Sequence, residues 1–241
     1  MKSMLDLFSG IGGFSYGMEA TGSISTKAFV EINDFCGKVL QKHWPNIPVY
    51  KDIRNVTIRK NTFDIICGGF PCQDVSCAAV GKQQSILGNR SGLWFEYLRL
   101  ISEGKPTWVV IENVENLRNK GLATILQQLT ALGYDAEWHI IRACDVGFPH
   151  VRKRIWIIAY LMRDGMERNS PFPLQGLRSI PWRENGRRCE DFLRRWNSTD
   201  AILLRSSNGI PNYMDRVNAL GNSIIPQIAY LIATAILETK L

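Results

Sequence analysis

The chain has 241 residues, 45% of them hydrophobic, and a formal net charge of +7. That is enough apolar material for a full α/β core with one small extra domain, and the charge favours a polyanionic partner. Six scattered cysteines without C-x-x-C spacing and only three histidines argue against a zinc site or a disulfide framework. No apolar run reads as long enough for a membrane span, and Met1-Lys2-Ser3 leads straight into a strand rather than a signal peptide, so a cytoplasmic protein is expected.

Met4 to Phe8 reads as the first strand, and the glycines after it open a helix to about Ala20. In the turn Gly10-x-Gly12-Gly13, Ser15 stands where a dinucleotide fingerprint would place its last glycine, which disfavours NAD. Bare backbone still admits a ligand there without demanding a pyrophosphate, a property that suits S-adenosylmethionine. Ala28 to Glu31 reads as the second strand, with Glu31 either a solvated strand end or an acceptor for ribose hydroxyls. Pro48 to Ile53 reads as the third, with Asp52 placed to accept from an adenine amino group and Ile53 to pack on the ring.

Phe63 to Cys67 has the short apolar character of a strand covered on both faces. Gly68, Gly69 and Pro71 stop it and place Cys72 at a fixed, partly open position beyond the strand's carboxyl end. Alone, a cysteine there is more often a packing residue. Asp74 to Asn89 is polar and aperiodic, as binding loops are, and a helix from Ser91 to Ile101 follows with Leu93, Leu98 and Ile101 on its apolar face. Trp108 to Ile111 forms another buried strand ending in Glu112-Asn113-Val114. After it come an amphipathic helix from Leu122 to Leu132, a strand from Trp138 to Ile141, and a strand from Ile155 to Ala159 led in by Arg152 and Arg154. A thiol, a carboxylate and two guanidiniums are thereby expected at neighbouring strand ends.

Beyond Tyr160 the periodicity fades, prolines and Trp182 and Trp196 appear, and every positive residue from 161 to 210 is arginine. The planar fork of arginine suits phosphates and guanine edges, which makes Arg183, Arg187, Arg188, Arg194 and Arg195 candidate DNA contacts. The expected organisation is a main α/β domain over 1–160, a small arginine-rich domain over 161–210, and a return segment over 211–241 with a helix from Pro226 to Leu237; the family likeness described next implies catalysis and cofactor binding for the first and target recognition for the second.

Five stretches in order carry a family likeness: Asp6 to Phe14, Gly69-Phe70-Pro71-Cys72-Gln73, Glu112-Asn113-Val114, Arg152-x-Arg154 and Gly221-Asn222-Ser223. On these the chain resembles the DNA (cytosine-5) methyltransferases. The resemblance implies a Rossmann-like S-adenosylmethionine-dependent methyltransferase fold: a mixed, mostly parallel sheet with helices on both faces, plus an irregular recognition domain. It implies methyl transfer to C5 of a flipped cytosine in duplex DNA, with Cys72 attacking C6, Glu112 protonating or hydrogen-bonding N3, Arg154 stabilising and orienting the base, and Arg152 or Arg154 lowering the thiol pKa. Cofactor contacts are implied at Phe8, Gly10, Ile11, Gly12, Gly13, Glu31, Ile32, Asp52, Ile53, Gly69, Pro71, Leu93, Asn222 and Ser223, and DNA contacts at Gln73, Ser76 and Lys82. No metal is implied, and a monomer with a cognate restriction endonuclease is expected. His150 departs from the family's usual glutamine. Methylation of RNA and a non-catalytic DNA-binding relative are the competing readings.

Overall fold

The computed structural model describes residues 1–71, 92–148, 151–162 and 213–239. Their strands form one seven-stranded sheet in the order β3-β2-β1-β4-β5-β7-β6. Here β1 is Lys2–Leu7, β2 Ile24–Val30, β3 Val49–Tyr50, β4 Ile65–Gly68, β5 Trp108–Val114, β6 Tyr134–Arg142 and β7 Lys153–Leu161. The first five are mutually parallel, and β7 runs antiparallel to both β5 and β6. From β1 the chain builds outward through β2 and β3, then crosses to β4 on the other side. A crevice opens at that reversal, beyond the carboxyl ends of the strands.

The helices are α1 (Gly13–Glu19), α2 (Asp34–His43), α3 (Gly92–Gly104), α4 (Leu117–Lys120), α5 (Leu122–Ala131), α6 (Tyr213–Asn222) and α7 (Pro226–Glu238). On one sheet face Leu5, Leu7, Ile66 and Val109 pack with Trp94, Tyr97 and Ile101 of α3 and with Ile125 and Leu129 of α5. On the other, Met4, Ile65, Cys67 and Val110 pack with Phe14 and Met18 of α1 and with Ile228, Ile232 and Ile236 of α7. Burial on both faces explains why the central strands read as continuous apolar runs.

The third strand is shorter than expected. Pairing ends at Tyr50, because Asp52 turns its carboxylate onto the backbone N–H of Arg54 at 3.0 Å and caps a single 3-10 turn, Ile53–Asn55. The α3 stripe is also shifted: Trp94, Tyr97, Ile101 and Gly104 are buried while Leu93 and Leu98 flank them, because the two aromatic rings supply most of the face.

The expectation of no span-length apolar run is corrected. Asn218–Glu238 has the length and apolarity of a membrane span, with mean hydropathy 1.5. In the fold that run is two helices parted at residues 223–225, with Pro226 at the start of α7 and its isoleucines on one packed face. Residues 163–210 of the expected recognition segment, with its five candidate arginines, lie outside the described residues, as do Cys72, Gln73, Ser76, Lys82 and His150.

Candidate active site

The chain leaves β1 through Phe8, at φ 52°, and Ser9, whose hydroxyl donates to the Asp6 carbonyl at 2.6 Å. Three glycines of the following turn then serve two purposes. Gly10, at φ 55°, has nothing within 4 Å of where a Cβ would stand, so its bare face is open to the crevice. A Cβ on Gly12 would lie 2.6 Å from the Trp44 ring, and one on Gly13 2.8 Å from Ile224. Those two admit neighbouring protein. Among the described residues the crevice wall includes Gly10 but not Ile11, Gly12, Gly13 or Ser223.

The crevice has a volume of about 580 Å³, within the range of roughly 300–1,000 Å³ common for small-molecule sites. At one end stands Glu31, buried just beyond β2, its carboxylate accepting from Gly10 N–H and Asn33 N–H, each at 2.7 Å. Each oxygen keeps further lone-pair capacity for hydroxyl donors. Ile32 is 69% exposed, an apolar side chain left on the wall with Ile53 and Leu93 nearby in the lining. Asp52 also lines the wall but is engaged by Arg54, whose Nη2 lies 2.8 Å from Oδ2. That pairing holds the Asp52 carboxyl below its usual pKa and competes with any adenine amino group. Open glycine backbone, a buried acid with lone pairs to spare and an exposed aliphatic surface together fit an adenosyl group.

At the opposite end β4 and β5 finish side by side. A Cβ on Gly68 would meet the Leu7 carbonyl at 2.4 Å, so only glycine lets β4 pack there against β1. A Cβ on Gly69 would fall 2.8 Å from Glu112 Oε2. Asn113, buried and one residue beyond Glu112, donates from Nδ2 to the Phe70 carbonyl at 3.0 Å, and its Oδ1 accepts from Val114 N–H. Its carboxamide thus anchors the segment that leads through Pro71 to Cys72, a role the sequence did not disclose.

Glu112 is almost fully buried, and burial pushes its carboxyl up to about 7, against the downward pull of the Arg154 and Arg152 charges. Arg154 Nε lies 3.0 Å from Glu112 Oε1. The N–H is not aligned on that oxygen, so the contact is an ion pair, and Oε1 is left buried without a hydrogen-bond donor among the described residues. A buried acceptor without a donor at a crevice wall is a place for a ligand's N–H. Arg152 is directed elsewhere: Nη1 donates to the Gly221 carbonyl at 2.6 Å and Nη2 to the Ser223 carbonyl at 3.0 Å. The α6 helix, absent from the sequence reading, places Asp215, Asn218, Ala219 and Asn222 along the same wall.

This geometry has counterparts. A family profile described as C-5 cytosine-specific DNA methylase matches residues 2–186, and the chain belongs to that family. The Bacillus subtilis type II methyltransferase M2.BsuMI is 33% identical over 169 residues, covering 67% of this chain and 42% of its own length. The Cellulosimicrobium cellulans type II methyltransferase M.AluI is 35% identical over 184 residues, covering 68% of this chain and 34% of itself. The chain therefore spans less than half the length of these two curated relatives. In fold it is similar to the Entamoeba histolytica methyltransferase EhMeth, with TM-score 0.58 and 23% identity over 70% of this chain and 56% of that one. Spodoptera frugiperda DNMT2 gives TM-score 0.56 and 20% identity over 70% of this chain and 54% of that one.

Proposed function

We propose that the chain binds S-adenosylmethionine in the crevice and methylates C5 of a cytosine flipped out of a specific duplex DNA sequence. The observation that carries this reading is Glu112: a carboxyl kept near neutrality by burial and paired with Arg154, with one oxygen lacking a well-aligned donor among the described residues, one strand away from the segment that runs into Cys72. Cytosine N3 and its exocyclic amine are the complementary edge.

The residues then divide the work. The Cys72 thiolate adds to C6, while Glu112, in its acid form, gives its proton to N3 so that the electron pair is drawn to C5. Arg154 holds the Glu112 carboxylate that results and, through its remaining donors, the base. S-adenosylmethionine supplies an electrophilic methyl group. With the methyl on C5 and S-adenosylhomocysteine left as the neutral thioether, loss of the C5 proton to solvent lets the C6–sulfur bond break, returning the pair to Cys72 as thiolate and the N3 proton to Glu112. Glu31 orients the ribose, and Ile32 and Ile53 cover the adenine.

The arginine-rich stretch over 161–210 serves as the target-recognition domain, with Arg183, Arg187, Arg188, Arg194 and Arg195 on phosphates and bases, and Gln73, Ser76 and Lys82 on the duplex from the preceding loop. A monomer in the cytoplasm, paired with a restriction endonuclease of the same target, completes the reading; both curated relatives bear the name type II methyltransferase. Bisulfite sequencing of DNA from cells expressing the chain tests it. Protected cytosines at one recurring sequence are expected, and protection confined to RNA would contradict it.

A further inference from the structure

Arg152 and Arg154 are two residues apart at the start of β7, yet their guanidiniums do different things. Arg154 sits against Glu112, whereas both terminal nitrogens of Arg152 are used by the Gly221 and Ser223 carbonyls. Gly221 belongs to the last turn of α6, whose carbonyls have no partners within the helix and carry its partial negative charge. A guanidinium satisfies both needs at once. The α6 residues that line the crevice, Asp215, Asn218, Ala219 and Asn222, follow an i, i+3, i+4, i+7 spacing and so form one stripe.

The same return segment is held from its other side. A Cβ on Gly13 would come within 3.2 Å of Ser223 Oγ as well as 2.8 Å of Ile224, and one on Gly17 would lie 2.1 Å from the Pro226 carbonyl. Two glycines one helical turn apart therefore make a groove on α1 in which residues 223–226 lie. The groove fixes the start of α7, and Arg152 fixes the end of α6.

We infer that Arg152 is a positioning residue for the cofactor and not a contact to the base: it fastens the carboxyl end of α6 so that its polar stripe closes the crevice. This rests on reading the crevice as the S-adenosylmethionine site, and it separates two arginines that the sequence motif treats as a pair. Loss of the fastening lets the wall swing out, weakening cofactor affinity while leaving the catalytic groups in place.

The test uses the full chain and S-adenosylhomocysteine, with affinity read by titration calorimetry and steady-state kinetics on target DNA. Arg152→Met is expected to raise the dissociation constant and the cofactor KM about tenfold or more while kcat changes by less than about threefold. Arg154→Met is expected to do the reverse. Arg152→Lys keeps the charge but not the fork, and is expected to give an intermediate affinity; it carries the test should the methionine variant fail to fold. Unchanged affinity with a large fall in kcat in both Arg152 variants overturns the assignment, as does no change in either quantity. A wild-type chain that does not bind S-adenosylhomocysteine overturns the cofactor reading itself, an outcome distinct from both.

Discussion

Arg154 Nε stands 3.0 Å from Glu112 Oε1 across the antiparallel pair of β5 and β7, an ion pair in which the carboxyl is the buried member. Burial raises the Glu112 pKa to about 7, and the Arg154 charge keeps it from rising further. If the acid form of Glu112 is the working form, kcat/KM falls as pH climbs through about 7. Replacing Arg154 by methionine removes a lowering charge, so the falling limb moves to higher pH even as the maximum rate drops. Glu112→Gln keeps a donor but no transferable proton, and a loss of about 10²–10⁴-fold is expected. A limb that stays put in Arg154→Met separates the titrating group from Glu112.

Gly69→Ala tests how finely that carboxyl is held. The new methyl would arrive 2.8 Å from Glu112 Oε2, below any real contact, and the carboxylate must shift. A displacement of this order costs on the order of 10²-fold in rate. S-adenosylhomocysteine affinity should fall far less than the rate by calorimetry, since the new methyl meets Glu112 and not Glu31. Equal loss of both would show that the change spreads through the crevice.

Two glycine-to-alanine changes near the amino terminus should fail for different reasons. In Gly17→Ala the methyl would meet the Pro226 backbone carbonyl at 2.1 Å, so α1 and α7 must part. A loss of about 3 kcal/mol by urea unfolding is expected. Gly10→Ala has open space but a φ of 55°, costing only about 1–2 kcal/mol. Its methyl points into the crevice, so its larger effect should be on cofactor affinity.

Beneath the glycine turn, Asp6 is fully buried on β1, with Oδ2 accepting from the Ser15 hydroxyl at 2.7 Å and Oδ1 without a well-aligned donor among the described residues. Burial raises its pKa from the ordinary 3.8 to about 8. Between those values the folded chain keeps a proton that the unfolded chain has lost, so stability declines as pH rises through the interval. Glu112 adds a decline of the same sign, from 4.5 up to about 7. Asp6→Asn should flatten the fall in urea midpoint between pH 6 and pH 8. An unaltered slope would assign it to other groups.

The strands were legible because burial on both faces writes them as apolar runs; the ordered motifs placed Glu112 and Gly10, and the second-strand reading placed Glu31, near the strand ends where the fold has them. What the sequence hid depends on distance along the chain. Arg152 lies 69 and 71 residues from the carbonyls it binds, and nothing local to it announces them. Asn113 meets Phe70 across 43 residues. The shortfall in β3 arose because Asp52 and Arg54 satisfy each other locally and turn the chain. Gly12 and Gly13 read as ligand glycines, but the bulk they admit is Trp44 and Ile224, neighbours that only the packed fold brings in.

The most direct measurement of the central claim is a trapping experiment. Duplex DNA carrying 5-fluorocytosine at the target, incubated with the chain and S-adenosylmethionine, cannot lose its C5 substituent as a proton, so the sulfur adduct should accumulate. The account predicts a stable protein–DNA conjugate whose peptide map places the bond at Cys72, and none with Cys72→Ala. Efficient methylation of the ordinary target without any conjugate, or a conjugate at another residue, would contradict it.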